Sequence, residues 1–182
     1  MTPGTITIFK QNVQTDTVYF SVSFLDEIEI PELQKLVHLT NLKHLNLSSL
    51  DLRDEHLEII GEITSLELLD LDLNEISDQG LRFLEPLKNL KQLRLKDNPQ
   101  LTDGCIDQLV RIPSLEMLHA GNTSITISGL SRLLDRVQLK ILILDYEFAD
   151  LLEELKGLSN AHPSLEITVK GKASILNGRM NS

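Results

Sequence analysis

The chain has 182 residues, which suits a single domain; 41% of them are hydrophobic and only 4% are aromatic. A net charge of −10 argues against a nucleic acid as the partner. The sequence has one cysteine and no apolar stretch of about 18 residues, so it predicts neither an internal disulfide nor a membrane span. The start of the chain lacks a secretory signal. These features predict a cytoplasmic protein, although a secreted effector without a signal would look the same.

The acidic residues are concentrated in one half of the chain. Residues 26–85 contain 15 Asp and Glu against 4 Lys and Arg, a net of −11, so the remainder carries +1. This excess is consistent with an ordinary solvated surface and equally with attraction of a basic partner.

The first 41 residues predict a cap followed by a degenerate repeat. The β-rich segments TITIF and TVYFSVSF predict a hairpin that closes the open end of a repeating core. A repeat begins near Val18, where Val18, Ser21 and Ser23 replace the leucines of later repeats. The helical spacing of the later repeats is present at Ile28, Leu33, Leu36 and Leu39.

Residues 42–147 repeat the pattern L-x-x-L-x-L in steps of 24 or 25. Its first positions are Leu42, Leu66, Leu90, Leu115 and Leu139. The last two leucines of each pattern are two residues apart, which places both on one face of a short strand. The threefold spacing of Leu57, Ile60 and Ile63 suits a short helix with one buried side. Neither element can bury its apolar side alone, so the units must stack.

The two spacings together predict an α/β solenoid. Strands stack at about 4.8 Å, whereas helices need about 8–10 Å. The stack is therefore expected to curve, with a parallel sheet on the concave side and short helices on the convex side.

Polar residues are expected in the turns. Asn74, Asn98 and Thr123 follow the strand leucines and predict a hydrogen-bonded ladder between repeats, which Leu50 interrupts. Asp or Ser/Thr residues precede the helical segments and are typical of N-caps. These are Asp54, Ser77, Asp78, Thr102 and Asp103.

The final segments predict a second cap. Residues 148–170 predict a last helix, from the spacing of Phe148, Leu151, Leu152 and Leu155. They also predict a closing strand at Leu165, Ile167 and Val169. Residues 171–182 are interpreted as a loose tail.

Residues 18–170 resemble the leucine-rich-repeat family. The strings NEISDQGLRFLEPLKNL and LTDGCIDQLVRIPSLEML are similar to the subclass with an I-[ST]-D-x-G-L signature, which includes bacterial, cysteine-containing and ribonuclease-inhibitor-like repeats. The resemblance implies a scaffold that binds proteins.

The candidate binding site lies on the strand face that the leucines leave free. The third, fifth, seventh and eighth positions of each repeat are expected to face solvent. An apolar cluster with charged neighbours is typical of a protein-binding surface. The candidate residues are Leu68, Asp70, Asp72, Arg94, Met117, His119, Ile141, Ile143, Asp145 and Tyr146. In the alternative interpretation, the C-terminal cap covers Ile141 and Ile143, and the charges pair across strands.

The sequence does not predict an enzyme. His44 and His119 are expected about 14 Å apart by strand stacking, too far to share a metal ion. Cys105-Ile106-Asp107 resembles the catalytic motif of bacterial ubiquitin ligases that carry leucine-rich repeats. Those enzymes also need a helical domain for which this chain has no room, so Cys105 is interpreted as core. No cofactor is expected.

The leading hypothesis is an acidic inhibitor or immunity-type protein, monomeric when free, that neutralises a protein such as a toxin with a basic groove. The alternatives are an adaptor or host-directed effector, and a structural homo-oligomer.

Overall fold

The computed structural model describes residues 4–22 and 28–181. These residues form a two-stranded hairpin and a nine-stranded sheet in the order β11-β10-β9-β8-β7-β6-β5-β4-β3. The strands are β1 (Thr5–Ile8), β2 (Gln11–Gln14), β3 (Tyr19–Ser21), β4 (His44–Asn46), β5 (Leu68–Asp70), β6 (Gln92–Arg94), β7 (Met117–His119), β8 (Ile141–Leu144), β9 (Glu166–Val169), β10 (Ala173–Leu176) and β11 (Arg179–Asn181).

Short helical segments alternate with the strands. The α-helices are α1 (Ile30–Gln34), α2 (Asp54–Ile60), α3 (Ile106–Leu109), α4 (Ile127–Leu134) and α5 (Leu152–Ala161). The 3₁₀ helices are Lys35–His38, Gly80–Leu84, Asp103–Cys105 and Tyr146–Leu151. This alternation makes β3 to β9 parallel neighbours. Within the described residues, no helix has the length and apolar character needed to cross a membrane.

The predicted repeat is visible in the register of the sheet. In each strand the middle residue aligns with the middle residue of the next strand, and this whole row is buried. The row consists of Phe20, Leu45, Leu69, Leu93, Leu118, Leu142 and Ile167. Apolar helix residues such as Leu57 and Ile60 are buried in the same cluster. A fully buried leucine contributes about 1.5–3 kcal/mol, so stacking stabilises every repeat.

The N-terminal hairpin packs on the first repeat. Its two-residue turn, Phe9 and Lys10, has positive φ values of 47° and 62°. The Phe9 side chain is buried, and its N–H donates to Glu32 Oε2 at 2.7 Å. A hairpin is thus present, but its second strand is Gln11–Gln14 and not the predicted TVYFSVSF segment, whose residues Tyr19–Ser21 join the large sheet beside β4. The parts of the prediction that concern Ser23 and Phe24 lie outside the described residues.

The C-terminal end differs from the loose tail expected after residue 170. β10 pairs antiparallel with β9, and β11 pairs antiparallel with β10. Ile175 aligns with Ile167 and is fully buried, so burial holds the segment in place. Asn177 and Gly178 form its turn with positive φ values of 51° and 66°. Asn-Gly is a strong hairpin signal that the sequence analysis did not use.

Candidate functional site on the open face of the sheet

The residues that flank each buried middle residue lie on the other side of the sheet, which we call the open face. The register aligns them in two rows. The first row runs through Tyr19, His44, Leu68, Gln92, Met117, Ile141, Glu166, Leu176 and Arg179. The second row runs through Ser21, Asn46, Asp70, Arg94, His119, Ile143, Thr168, Ser174 and Asn181.

Four apolar residues lie in the C-terminal half of the open face, where Glu166 stands between Ile141 and Leu176. We call Met117, Ile141, Ile143 and Leu176 the apolar patch. Ile141 is 39% exposed and Leu176 is 40% exposed, while Met117 and Ile143 are half-buried. The C-terminal strands extend the sheet edge to edge and leave Ile141 exposed. The alternative that the cap covers Ile141 is therefore wrong.

Leu68 and Tyr146 lie away from the apolar patch. Leu68 is half-buried and is separated from Met117 by Gln92 on the strand between them. Tyr146 follows β8 and is 68% exposed, with Lys172 Nζ 5.5 Å from the centre of its ring. The structure therefore does not gather the predicted apolar residues into one cluster.

Three predicted surface residues are buried instead. His119 is 0% exposed, and Asp72 and Asp145 are also buried. The His119 ring lies between the two carboxylates, with Nδ1 3.5 Å from Asp72 Oδ2 and Nε2 3.6 Å from Asp145 Oδ1. The expectation that these three side chains face solvent is wrong.

Gly121 provides the physical reason for this burial. A Cβ atom at Gly121 would lie 2.7 Å from Asp145 Cγ, so Asp145 occupies the space that any larger residue would fill. In this position its carboxylate reaches both His119 and Lys96 Nζ, the latter at 3.0 Å. A glycine at the seventh position of a repeat was the sequence signal for this arrangement.

The charges around His119 largely neutralise each other. Arg94 contacts Asp70, with Nε 2.8 Å from Oδ2, and also contacts Asp72. Burial raises the pKa of Asp70. Burial also opposes ionisation of Asp72, but His119 and Arg94 outweigh it and lower the pKa of that carboxyl. This cluster is therefore an internal network of charges, in which Asp70 and Arg94 remain partly exposed.

The His119 ring nitrogens have no hydrogen-bond partner of acceptable geometry. A neutral imidazole has one N–H and can donate to only one of the two flanking carboxylates, whereas an imidazolium can donate to both. Among the described residues, no group of three or more His, Cys, Asp or Glu side chains is placed to hold a metal ion.

An asparagine ladder fixes the turns that follow the strands. Asn98 is fully buried; its Nδ2 donates to the carbonyls of Leu71 and Leu95, and its Oδ1 accepts from Ile76 N–H. Asn74 makes the equivalent bonds one repeat earlier. The predicted ladder is confirmed for Asn74 and Asn98, whereas Thr123 bonds within its own repeat, to Ala120 O and Ile125 N–H.

The predicted N-cap is confirmed at Thr102, whose hydroxyl accepts from Gly104 N–H at 3.0 Å, whereas the predicted aspartate caps form a second ladder instead. Asp54 is the first residue of α2 and does not cap it; its carboxylate accepts from Ser77 N–H at 2.9 Å and from Ser77 Oγ at 2.6 Å. The same pairing joins Asp78 to Thr102 and Asp103 to Thr126. Each aspartate thus links its repeat to the next.

The aspartate ladder explains the glycine of the I-[ST]-D-x-G-L signature. A Cβ atom at Gly80 would lie 2.3 Å from Asp54 Oδ1, and one at Gly129 would lie 2.1 Å from Asp103 Oδ1. Cys105, in the intervening repeat, is a buried free thiol whose pKa burial raises to about 12. This burial is consistent with its interpretation as a core residue.

A row of alternating charge at the start of the strands was missed by the sequence analysis. The row consists of Lys43, Glu67, Lys91, Glu116 and Lys140. Glu67 bridges Lys43 at 2.7 Å and Lys91 at 2.9 Å, and Lys140 pairs with Glu116 at 2.9 Å. Reading the second position of each repeat as a column would have revealed it. This row is nearly neutral.

The turns that follow the strands form a different surface. Ser49, Leu73, Asp97 and Asn122 occupy the same place in successive repeats, and all have positive φ between 51° and 61°. Such a conformation costs most non-glycine residues about 1–2 kcal/mol, and Asn and Asp tolerate it best. Leu73 is the exception in residue type, and it is 51% exposed. Leu73 is not among the candidate residues predicted from the sequence.

Stacked units of one parallel strand and one short helical segment, joined by an asparagine ladder, define a leucine-rich-repeat-like α/β fold. Internalin F from Listeria monocytogenes has the same kind of fold, with a TM-score of 0.50 and 20% identity over 75% of this chain and 43% of that one. Internalin C2 from Listeria monocytogenes is 28% identical, with a TM-score of 0.49 over 61% of this chain and 45% of that one. Internalin F is a leucine-rich-repeat protein, so its likeness to this chain supports the predicted repeat fold.

No protein-family model matches the chain. In sequence, it is similar to "Distal membrane arm assembly component 2" of Drosophila melanogaster, with 35% identity over 106 residues. The match covers 56% of this chain and 37% of that protein, so the chain spans little more than a third of its relative.

Proposed function

We propose that the chain is a protein-interaction module without enzymatic activity, and that it contacts its partner through the open face of the sheet. The observation that carries this proposal is the apolar patch. Ile141 and Leu176 are each about two-fifths exposed on the side of the sheet opposite the leucine core. An exposed apolar group of this kind, with charged residues beside it, favours a protein partner.

The curvature that is expected of stacked repeats would favour the same surface. Parallel strands lie closer together than packed helices do, so a stack of such repeats bends with its strands inside. On the concave side, a partner could contact several repeats at once. The apolar patch, Leu68 and Tyr146 would make the apolar contacts.

The charged candidates have two separate roles in this proposal. Asp70 and Arg94 are half-buried and can still meet a partner at the edge of the apolar patch. Asp72, His119 and Asp145 lie beneath them and would hold Arg94 and Lys96 in position. Their contribution to binding would be pre-organisation of the surface.

An acidic inhibitor or immunity-type role is one specific form of the proposal. Its support is the excess of 15 acidic over 4 basic side chains in residues 26–85. Because Asp70 and Asp72 are already paired with Arg94, the attraction of a basic groove would come from other carboxylates of that segment. Such attraction would speed association and weaken as salt is added.

An adaptor or assembly role is the second form. Its support is the similarity over 106 residues to a protein described as an assembly component. Here the apolar patch would dominate binding, and salt would have little effect because apolar contacts are not screened.

Affinity capture tests the proposal. The purified chain would be immobilised, exposed to an extract of its native host, and the captured proteins identified by mass spectrometry. A partner captured by the parent should be lost with Ile141→Asp and retained with Gln92→Ala, an exposed position in the same row. Equal capture by both variants would show that the open face is not the binding surface. Titration in increasing salt separates the two forms, since only the inhibitor form predicts strong weakening.

A further inference from the structure

Leu73 stands in a turn that does not suit a leucine. Its φ is 59°, and half of its surface is exposed. The corresponding residues of other repeats are Ser49, Asp97 and Asn122, whose short polar side chains are better tolerated there. Both the backbone conformation and the exposure of Leu73 are unfavourable for the isolated chain.

The repeat imposes this conformation whatever the side chain. Ser49 N–H donates to Asp72 O at 3.0 Å, and Leu73 N–H donates to Lys96 O at 2.8 Å. Asp97 continues the series. Because these bonds extend the parallel ladder into the turn, Leu73 cannot leave the left-handed region without breaking one of them.

Phe9 shows what normally offsets such a conformation. Its φ of 47° is also in the left-handed region, but its ring is only 7% exposed and belongs to the core. Burial of the ring accounts for a phenylalanine at that position. Leu73 has no comparable burial, so packing within the chain does not explain its side chain. An unfavourable backbone conformation at an exposed leucine indicates that Leu73 has a role other than stabilising the fold.

Tyr146, the first residue of the 3₁₀ helix after β8, occupies the place in its repeat that Leu73 occupies in its own, and is 68% exposed. Three strand spacings of about 4.8 Å separate it from Leu73, which is about 14 Å. Between them lie Asp97 and Asn122, whose side chains are hydrogen-bonded to each other at 2.7 Å. Two exposed apolar side chains therefore flank a short polar stretch.

The charge of these turns favours a basic partner. We call the turns that follow β4, β5, β6 and β8 the exit turns. They carry seven carboxylates against Arg53 and Lys96, and the turn after β9 adds Lys170 and Lys172 at the same edge, so the net charge is −3. The carboxylates are Asp51, Asp72, Glu75, Asp78, Asp97, Asp145 and Glu147. At the opposite ends of the strands, the alternating row of lysine and glutamate is nearly neutral. The excess of negative charge thus lies on the side that carries Leu73.

We propose that the exit turns are a docking surface, anchored by Leu73 and Tyr146, for an extended protein segment that presents apolar residues flanked by lysine or arginine. In an extended segment, residues four apart point to the same side and are separated by about 14 Å, which matches the distance between the two anchors. This inference rests on the proposed function, since it names the chemistry of the partner segment.

A designed peptide tests the surface directly. The probe is a fluorescently labelled short peptide with two leucines four residues apart, each flanked by lysines; the reference peptide has glutamate in place of every lysine. Anisotropy titration of the full chain should show saturable binding of the lysine peptide only. Leu73→Asn should weaken this binding about tenfold, as loss of an interface anchor does. Leu176→Asn, which changes an exposed leucine of the apolar patch, should leave the binding within about twofold.

Thermal unfolding of the same variants provides the second readout. Leu73→Asn should raise Tm by about 2–4 °C, because asparagine suits the left-handed turn. A lowered Tm would show that Leu73 serves folding and would overturn the inference. So would equal weakening by Leu73→Asn and Leu176→Asn, or no saturable binding of the lysine peptide. None of these outcomes touches the proposed function, which fails only if Ile141→Asp leaves capture of the native partner unchanged.

Discussion

The two faces of the short strands differ in how much their residue types vary from repeat to repeat. On the buried face of β4 to β8, the middle residue is a leucine in every strand and is inaccessible to solvent. On the open face, the neighbouring row changes from histidine through leucine, glutamine and methionine to isoleucine. On the buried face, each leucine packs against the equivalent leucines of the neighbouring repeats, and this favours the same residue type in every strand. Residues on the open face are not restricted in this way and differ between repeats. Information about a partner must therefore lie on the open face and in the turns.

The largest expected effect separates the two faces within one strand. Leu93→Ala should destabilise the chain by about 2–5 kcal/mol, because it leaves a cavity between two repeats. Gln92→Ala, the adjacent exposed residue, should change the free energy of unfolding by less than about 0.5 kcal/mol. Urea unfolding followed by circular dichroism measures both. Similar losses in the two variants would mean that the open face also supports the fold.

Asn98 tests whether a buried residue in a turn is needed for stability as the leucines of the buried face are. Asn98→Ala removes donors to the buried carbonyls of Leu71 and Leu95, and should cost about 2–4 kcal/mol. Thr123 occupies the same place one repeat later, and its hydroxyl donates only to Ala120 O, at 2.8 Å. Thr123→Ala should therefore cost about 0.5–1.5 kcal/mol in the same urea experiment. If Asn98→Ala costs no more than Thr123→Ala, the ladder contributes little to the fold.

The buried face could be predicted from sequence because a period of 24 residues places each leucine beside its equivalent. The asparagine ladder could be predicted for the same reason, because Asn74 and Asn98 are also one period apart. The open face could not be predicted as well, since its exposure depends on which side chains cover each other. Gly121 lets Asp145 reach over His119, and that contact joins different repeats. Periodicity in the sequence indicates which face of the sheet a side chain lies on, but it does not determine how deeply that side chain is buried.

The corrections at the helix starts have a related cause. Asp54 has the residue type of an N-cap and lies at the start of α2, so the local sequence suggests a cap. Its partner, Ser77, is 23 residues away and is brought near only by the stacking distance. The C-terminal hairpin, by contrast, was predictable from Asn177 and Gly178 and was overlooked.

Two glycines on the helical side of the repeats, Gly80 and Gly157, test how much the aspartate ladder contributes to stability. Gly80→Ala places a Cβ atom against Asp54 and must displace the carboxylate that binds Ser77, so it should cost about 1–3 kcal/mol. Gly157 lies within α5 and has no atom within 4 Å of an added Cβ. Gly157→Ala should stabilise the chain by about 0.5–1 kcal/mol, through helix propensity. The difference in Tm between the two variants measures the aspartate ladder, and stabilisation by both would argue against it.

The smallest expected effect concerns the charged row at the start of the strands. Hydrogen bonds from Lys43 and Lys91 lower the pKa of Glu67 from 4.5 to about 2. A carboxyl whose pKa is lowered in the folded state contributes stability above its unfolded value, and this contribution is lost as the pH falls toward 2. Tm of the parent should therefore fall between about pH 5 and about pH 2.5, and the fall should be smaller in Glu67→Gln. Glu58→Gln, on the exposed side of α2, should follow the parent. If all three proteins have the same profile, the lysines do not bind Glu67 in solution.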